Sequence, residues 1–380
     1  MEVRLRWTGN SRLGGRSAFW IGILASAGLL AAFAFFFLPK DDIGDVLTSA
    51  NLVYVLPSLI FYFLAVWARS YRWAYILRPI IGRPRRSLYP VVVVGYMANN
   101  ILPVRLGEIV RSYYTSLREP ISPAAAFGTV AVERASDVVA LLFFMAAVWV
   151  VLPTSGLIDE LAESVPGGVQ VLISLSVLPF VGVVGVMLVV SLVSQATILK
   201  LTATLLSPAP EKIRLRALGL SENLIEGLTV LRSPSALLYV LLLSLPVWLL
   251  ETVMAFVIAF GFDISDSFDS NFEFFAAILL FMSVANLAGV VPSVSGGLGP
   301  FEFFGAAVLV AMGVADAQAG AYVLTVHIAL LVPVSILGFI VLLMDGTSLR
   351  SLFKGARAAP IAGDTTAAAE APEPGPCQCP

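Results

Sequence analysis

Long apolar stretches separated by short polar ones dominate this sequence. Six of the stretches reach the length of roughly 20 residues that a helix needs to cross a bilayer. They lie at 18–38, 51–77, 121–152, 169–193, 234–261 and 317–344. Two further apolar regions, 88–118 and 272–314, are each interrupted by polar residues, prolines and glycines. The pattern predicts an all-α, polytopic integral membrane protein with about six spanning helices and two re-entrant, broken helical hairpins.

The composition supports this class and narrows the chemistry. The chain is 58% hydrophobic and 13% charged, with a mean hydropathy of +0.92, which is typical of a membrane protein. Its two cysteines, Cys377 and Cys379, lie in the last four residues, where metal binding or lipid attachment is the alternative to an inert end. Because the chain has only one histidine besides these two cysteines, we expect no metal and no cofactor. The absence of a nucleotide-binding motif argues against primary active transport, and no nucleic-acid partner is expected.

Charged residues predict the topology. By the positive-inside rule, the basic N-terminus 1–17 and the arginines between Arg69 and Arg86 are cytoplasmic. Three acidic loops are assigned to the outside; they lie at 39–45, 153–168 and 262–271, and the loop at 153–168 contains no lysine or arginine. The protein is therefore expected in the cell membrane, with both termini in the cytoplasm.

Two cytoplasmic segments follow from the same assignment. The stretch 195–233 mixes leucines with charges and predicts one or two amphipathic helices on the inner membrane face. Residues 345–380 are predicted to be a disordered tail, rich in alanine and proline from residue 358 onward. The remainder, 18–344, is expected to be a single transmembrane domain.

The order helix, hairpin, helix occurs twice, over 51–152 and over 234–344, in opposite orientations. This arrangement predicts an inverted-topology repeat, which commonly places a substrate site near the bilayer midplane where the broken elements meet. The alternative is a polytopic helical protein in which the hairpins only pack.

The first break contains Asn99 and Asn100 and then, after Pro103, the charged residues Arg105, Glu108 and Arg111. Arg105 and Arg111 are candidate phosphate ligands, because a guanidinium fork holds two phosphate oxygens at once. The alternative for Arg111 is an anchor that reaches lipid headgroups. Glu108 can neutralise either arginine, and we assign it, with the two asparagines, to gating or coupling.

Three charged residues follow on the third predicted helix. Glu133 and Asp137 share one face, so they need a cation opposite them, and Arg105 or Arg111 is the candidate. Arg134 is adjacent in sequence and is expected to point elsewhere. Two interpretations stay open: a structural ion-pair network between hairpin and helix, or a network that exchanges partners as substrate enters.

The second break runs from Asn286 through Pro292 to Glu302. Its glycines, Gly296, Gly297 and Gly299, expose backbone amides just before a helix that is predicted to start at Pro300. Amides at a helix N-terminus predict an anion cradle, and the alternative is a glycine-rich turn between packed arms. Asn286 and Glu302 are assigned to gating or coupling.

Two more ionisable residues lie deep within predicted spanning helices, Glu251 in 234–261 and His327 in 317–344. An ionisable side chain inside the membrane is a functional candidate because leaving it unpaired is costly. Each is a candidate proton relay, with a neutral, hydrogen-bonded packing role as the alternative.

The run from Gly95 to Glu108, followed by Arg111, Glu133-Arg134 and Asp137, resembles the lysylphosphatidylglycerol synthase transmembrane (flippase-like) family. The Gly-Gly-Leu-Gly stretch that ends at Glu302 resembles its second motif, and the resemblance covers roughly 15–345. In that family the membrane domain is in some members fused to a soluble aminoacyl-transfer domain and is associated with lipid flipping. Related stand-alone proteins are associated with polyprenyl-linked saccharides. This chain lacks the transferase domain, so the resemblance implies no aminoacyl transfer here.

These observations predict translocation of an anionic lipid or lipid-linked precursor across the cytoplasmic membrane. Arg105 and Arg111 would hold phosphate, and Glu108 with Glu302 would gate the cavity. The alternatives are an enzyme or accessory subunit acting on polyprenyl-phosphate-linked saccharides, or a scaffold for a separate lipid-modifying synthase. The expected partners are thus a membrane lipid or polyprenyl-phosphate-linked substrate and a separate glycosyltransferase or lipid synthase.

Overall fold

A computed structural model describes residues 12–38, 46, 48–84, 87–102, 106–151, 178, 181–185, 187–189, 191–207, 210–289 and 295–358. All regular elements in these ranges are helical. The loop at 153–168, most of the apolar stretch 169–193, both cysteines and Arg105 lie outside the described residues.

Twelve α-helices are described, numbered here in chain order. They are α1 Arg12–Phe37, α2 Val55–Ile81, α3 Tyr89–Ile101, α4 Gly107–Ser116, α5 Pro123–Val151, α6 Gln195–Leu205, α7 Glu211–Gly227, α8 Pro234–Phe260, α9 Asn271–Ala288, α10 Pro300–Ala311, α11 Asp316–Met344 and α12 Leu349–Ala358. Short 3-10 turns lie at Leu52–Tyr54, Thr229–Arg232, Ile264–Ser267 and Ser295–Gly297.

Local chemistry explains where the long helices begin. Ser233 precedes α8 and accepts a hydrogen bond from the Ala236 amide, with Pro234 in the first turn, where a missing N–H costs nothing. Ser270 caps α9 in the same way through the Glu273 amide.

Within the described residues, four helical stretches are long and apolar enough to cross a membrane: Leu52–Ile81, Pro234–Phe260, Asn271–Ala288 and Asp316–Met344. Shorter apolar helices lie at Ile23–Phe37 and Pro300–Ala311. The predicted count of six spanning helices is thus met in part, and the re-entrant course of the hairpins stays a prediction. One arm of the second hairpin, α9, is long enough to span by itself.

Both predicted breaks separate helices. The first lies between α3 and α4, and the second between α9 and α10. Close approach at the first break requires glycine, because a Cβ on Gly107 would lie 2.4 Å from the Asn99 amide nitrogen. The start of α4 therefore packs directly against the end of α3.

The helices of the two halves interlock. Helix α8 packs along α2, α11 packs along α3, and the turn Ser295–Gly297 contacts α3. Asn100 fastens one of these pairs, since its Nδ2 donates to the Leu331 carbonyl at 3.1 Å and to Ser335 Oγ at 3.0 Å. The first hairpin is thus held against the last long helix.

Burial is arranged as expected for a protein surrounded by lipid. Large apolar side chains such as Phe35, Leu56, Trp67 and Leu343 are exposed on the outer faces of the long helices. The interior holds apolar residues together with a set of fully buried arginines and carboxylates. Polar groups at this depth mark the functional region of a membrane protein.

The tail differs from its prediction over ten residues. Residues Leu349–Ala358 form α12, which packs on α4, whereas 345–380 was expected to be disordered. Leu352 and Ala356 are buried on one face of this helix. An apolar stripe within a polar segment therefore orders the first part of the tail.

Candidate functional site

A cluster of seven charged side chains, six of them buried and one, Arg134, 29% exposed, joins four helices. It comprises, by helix, Arg69 and Arg72 of α2, Arg111 of α4, Glu133, Arg134 and Asp137 of α5, and Glu251 of α8. We refer to these seven residues as the charged cluster. Arg72 and Glu133 have no exposed surface, so the cluster is sustained by its internal ion pairs.

Two side chains hold the guanidinium of Arg111. Its guanidinium donates two hydrogen bonds to Glu133, at 3.2 and 2.8 Å, and lies 3.7 Å from the ring centroid of Trp73. The Trp73 indole is itself fixed by donation to Thr129 at 3.0 Å. These contacts join the first hairpin to α5, which favours a structural role for Arg111 over the predicted phosphate contact.

The Asp137 carboxylate accepts hydrogen bonds from three side chains. It accepts hydrogen bonds from Arg72 at 2.7 Å, from the Trp248 indole at 3.1 Å and from Arg69 at 3.4 Å. Arg72 also donates to Ser244 Oγ at 2.6 Å, and Arg69 donates to Glu251 at 2.8 Å. Helices α2, α5 and α8 are thereby joined through one carboxylate.

Arg69 and Arg72 are the residues that sequence reasoning misplaced. The positive-inside rule assigned them to a cytoplasmic loop, yet they lie within α2 and are 3% and 0% exposed. Their spacing of three residues, on one helix face and inside an apolar stretch, was the available signal.

Arg134 also departs from expectation. It was predicted to point away from its neighbours, but its Nη2 donates to Glu133 at 2.8 Å and its Nη1 lies 3.5 Å from Asp137. Its Nε lies 3.8 Å from Glu108 Oε1. The side chain is long enough to reach around the helix, so Cβ direction alone does not place its guanidinium.

The two breaks face one cavity, with a volume of about 170 Å³. From the breaks it is lined by Asn99, Asn100, Glu108, Asn286, Gly289, Gly296 and Gly297. Its other polar lining consists of Tyr62, Arg69, Tyr96, Arg134, Trp248, Glu251 and His327. A cavity of this size has room for several water molecules or a phosphate-sized group.

Several polar atoms of this lining are left without partners. Arg69 Nε, Tyr96 Oη, Asn99 Oδ1 and Arg134 Nε are buried and make no hydrogen bond to any group in the described ranges. Buried polar atoms are nearly always paired in native proteins, so these atoms indicate a place for water or a ligand. Three are able to donate, and Asn99 Oδ1 accepts.

The glycines of the second break are only partly available as an anion cradle. Gly299 donates its N–H to the Glu302 carboxylate at 2.8 Å and does not line the cavity. Its φ of 97°, and the Ser26 carbonyl 2.7 Å from where a Cβ would lie, explain the glycine there. Gly296 and Gly297 do line the cavity, so of the predicted cradle only these two stay candidates.

Glu302 and His327 meet directly. His327 Nδ1 lies 2.6 Å from Glu302 Oε1, and its Nε2 lies 3.0 Å from the Gly296 carbonyl oxygen. The imidazole stacks on Phe301 with ring centroids 4.2 Å apart. Of the two predicted intramembrane candidates, Glu251 is thus paired with Arg69, and His327 with Glu302.

The remaining predicted residues are placed more simply. Asn286 lines the cavity while its Nδ2 donates to the Met282 carbonyl at 2.8 Å. Among the described residues there is no group of three or more histidine, cysteine, aspartate or glutamate side chains that could hold a metal ion. Glu133 and Asp137 do not line the cavity and are each paired with arginines.

The sequence is similar to those of several known proteins. The chain is 27% identical over 301 residues to the glycosyltransferase AglD of Haloferax volcanii, covering 74% of this chain and 47% of that protein. It is 26% identical over 295 residues to a UPF0104 membrane protein of Methanothermobacter thermautotrophicus, covering 74% of this chain and 81% of the relative. The chain therefore spans about half the length of AglD.

A shorter match, 37% identical over 120 residues, is to a UPF0104 membrane protein of Methanocaldococcus jannaschii; it covers 30% of this chain and 35% of the relative. No solved structure matches. The family model described as the lysylphosphatidylglycerol synthase TM region matches residues 19–338, which include both breaks and the whole charged cluster. The chain therefore belongs to the lysylphosphatidylglycerol synthase TM region family.

Proposed function

We propose that this protein translocates an anionic lipid or lipid-linked precursor across the cytoplasmic membrane. The observation that carries the proposal is the cavity shared by the two breaks, with Arg69 and Arg134 in its lining. A headgroup would bind in this cavity while its acyl or prenyl chains stay in the lipid beside the exposed apolar helix faces. In the predicted inverted repeat, the two hairpins would open the cavity to opposite leaflets.

The charge count of the cluster supports an anionic headgroup. Its four arginines face three carboxylates, which leaves one positive charge in surplus. Glu108, with 19% of its side chain exposed, is the nearby carboxylate that offsets this surplus, at 3.8 Å from Arg134 Nε. That contact is longer than a hydrogen bond, so Glu108 is the carboxylate most easily replaced.

A phosphate entering the cavity would take the place of Glu108 beside Arg134. It would also reach the unpaired Nε of Arg69, because a guanidinium presents donors in a fork that fits phosphate oxygens. The phosphate-binding role predicted for Arg111 therefore passes to Arg69 and Arg134, and that predicted for Arg105 stays a prediction. Departure of the headgroup would let Glu108 return, so that neither state leaves a buried guanidinium without an anion.

The likeness to AglD supports a second candidate, in which this chain assists or performs a reaction on a lipid-linked saccharide. That relative is named a glycosyltransferase. Both candidates need a site for an anionic lipid headgroup, and they differ in whether the lipid is moved or altered. A separate glycosyltransferase or lipid synthase is the expected partner of the transport function.

Purified protein in liposomes separates the candidates. Fluorescent phosphatidylcholine, phosphatidylglycerol, lysylphosphatidylglycerol and a polyprenyl phosphate would be followed by dithionite quenching, with extraction and mass analysis of each lipid. We expect anionic or phosphate-bearing lipids to move and phosphatidylcholine to stay. Rates equal to protein-free liposomes for every lipid would contradict the proposal, and a chemically altered lipid would favour the enzyme.

A matched pair of variants tests the cavity. Arg134→Lys should weaken binding of the transported lipid roughly tenfold or more, since a hydrogen bond to a charged group contributes about 1.5–3 kcal/mol and lysine offers no planar fork. Arg232→Lys, an exposed position, is the control. Equal affinity in both variants would remove Arg134 from the site.

A further inference from the structure

His327 lies between the Glu302 carboxylate and the Gly296 carbonyl, and the chemistry of these two groups determines which ring nitrogens carry hydrogen. The Gly296 carbonyl oxygen is only an acceptor, so the contact of 3.0 Å requires a hydrogen on His327 Nε2. The contact of 2.6 Å between Nδ1 and Glu302 Oε1 then requires a second hydrogen, on either the nitrogen or the oxygen. Whichever atom carries it, the two side chains together are neutral.

This shared proton connects several elements. Glu302 is 1% exposed and His327 4% exposed. Glu302 Oε2 accepts from the Gly299 amide at the start of α10, and its other oxygen reaches His327 on α11. His327 Nε2 in turn contacts Gly296 in the break and the imidazole lines the cavity. One proton therefore holds the end of the second break and α10 against α11.

We propose that Glu302 and His327 form a proton-binding site, and that loss of its proton to the cavity releases the Ser295–Gly297 turn from α11. When the shared proton leaves to cavity water, Nε2 keeps its hydrogen and the pair passes from neutral to a charge of −1. Nδ1 and Oε1 then present lone pairs to each other at hydrogen-bonding distance in a buried site, where repulsion is weakly screened. The two side chains separate, and the Gly296 contact is released.

Several titratable and charged groups surround the Glu302–His327 pair. The titratable and charged groups that share the cavity with His327 are Tyr62 and Arg69 from α2, Tyr96 from α3, Glu108 from α4, Arg134 from α5 and Glu251 from α8. On α11 itself, Tyr322 donates to the Ala255 carbonyl at 2.9 Å. Between residues 23 and 38, α1 has no charged side chain, and α9 contributes Asn286 to the lining.

The coupling to transport rests on the proposed function. An anionic headgroup beside Arg69 and Arg134 would add negative charge to the cavity that His327 also lines, and that charge disfavours a deprotonated Glu302–His327 pair. Binding of the headgroup would then favour the protonated pair, and the two would be carried together. The proton site itself requires no lipid, so it is open to a separate test.

His327 is the single histidine of the chain, which makes a direct measurement feasible. Protein labelled with ¹⁵N-histidine, in phosphatidylglycerol–phosphatidylcholine liposomes without substrate, would give two nitrogen signals in solid-state NMR. We expect Nε2 to stay protonated, while the Nδ1 signal changes from hydrogen-bonded to bare when the shared proton is removed by raising the pH. Glu302→Gln should alter the Nδ1 signal and its titration, and the exposed control Glu222→Gln should not. An unprotonated Nε2, or an Nδ1 signal independent of Glu302, would overturn the proposal.

Release of the Ser295–Gly297 turn is measured by cysteine labelling in the Cys377→Ser, Cys379→Ser background. The maleimide reactivity of Leu298→Cys, divided by that of the exposed control Ser207→Cys, should rise with pH. Added His327→Gln should abolish this rise, because glutamine does not titrate. A ratio that rises equally with and without His327 would overturn the proposal.

The combined results separate the two proposals. A titrating Nδ1 signal and a pH-dependent ratio with no lipid moved would sustain the proton site and contradict the transport function. Lipid movement that is indifferent to a pH gradient, together with a non-titrating Nδ1, would sustain transport and overturn the coupling.

Discussion

Replacing Glu133 by glutamine tests whether the charged cluster sustains the fold. Glu133 has no exposed surface and lies within 2.8 Å of both Arg111 and Arg134 and 3.5 Å from Arg72. Glutamine keeps the size of the side chain but removes its charge, so buried guanidinium groups lose the anion they share. Breaking a buried ion pair from one side costs about 3–5 kcal/mol, since the remaining charge stays desolvated.

The assay is equilibrium unfolding of purified protein in mixed micelles, followed by tryptophan fluorescence, because Trp73 stacks on Arg111. Glu133→Gln should lower the free energy of unfolding by about 3–5 kcal/mol. Glu222→Gln, an exposed glutamate on α7, should change it by less than about 0.5 kcal/mol. A loss below about 1 kcal/mol for Glu133→Gln would refute the reasoning, since the cluster would then not depend on this carboxylate.

Three further outcomes are expected. Glu108→Gln should leave the free energy of unfolding within about 0.5 kcal/mol of wild type, because this carboxylate is half-buried and makes only a long contact. In the liposome assay this variant should retain anionic lipid longer and move it more slowly. Faster movement would contradict the proposed exchange of Glu108 and the lipid phosphate beside Arg134. Gly299→Ala should destabilise the protein by about 1–3 kcal/mol, measured by thermal unfolding, because of its φ of 97° and the carbonyl beside it. Its control, Gly219→Ala, lies in a helix with open space and should be neutral or stabilising. Single cysteines in 153–168 should react with an impermeant reagent from outside and those in 79–87 only after permeabilisation; external labelling of 79–87 would reverse the predicted topology.

Hydropathy and break residues were sufficient to predict where most helices begin and end. The helices on either side of each break lie close to their predicted bounds, because apolar runs interrupted by proline and glycine leave few other choices in lipid. Asn99, Asn100 and Asn286, from the two breaks, line one cavity, and their predicted role in gating or coupling stays a prediction.

The hydrogen-bond and ion-pair partners of the site residues could not be predicted from the sequence, for physical reasons. Arg69 reaches a carboxylate 182 residues later in the chain, and no local pattern encodes such a contact. The Glu302 carboxylate accepts the hydrogen bond of the Gly299 amide. The sequence shows that this amide precedes a helix, but it does not show that a side chain of the same helix binds it. Likewise Glu302 and His327 lie on separate helices that only tertiary packing brings together.

The charged cluster also constrains the order of biogenesis. Helix α2 leaves the ribosome with Arg69 and Arg72, whereas their carboxylates follow 61 (Arg72 to Glu133) to 182 (Arg69 to Glu251) residues later. An arginine near the centre of an inserted helix costs about 2.5–3.5 kcal/mol on the scale of the insertion machinery. We therefore expect α2 to wait, either at the translocation channel or tilted with both guanidinium groups reaching the interface, until α5 and then α8 arrive. Truncations that end between α5 and α8 would leave Arg69 without Glu251 and offer membrane quality control an incompletely paired helix to remove.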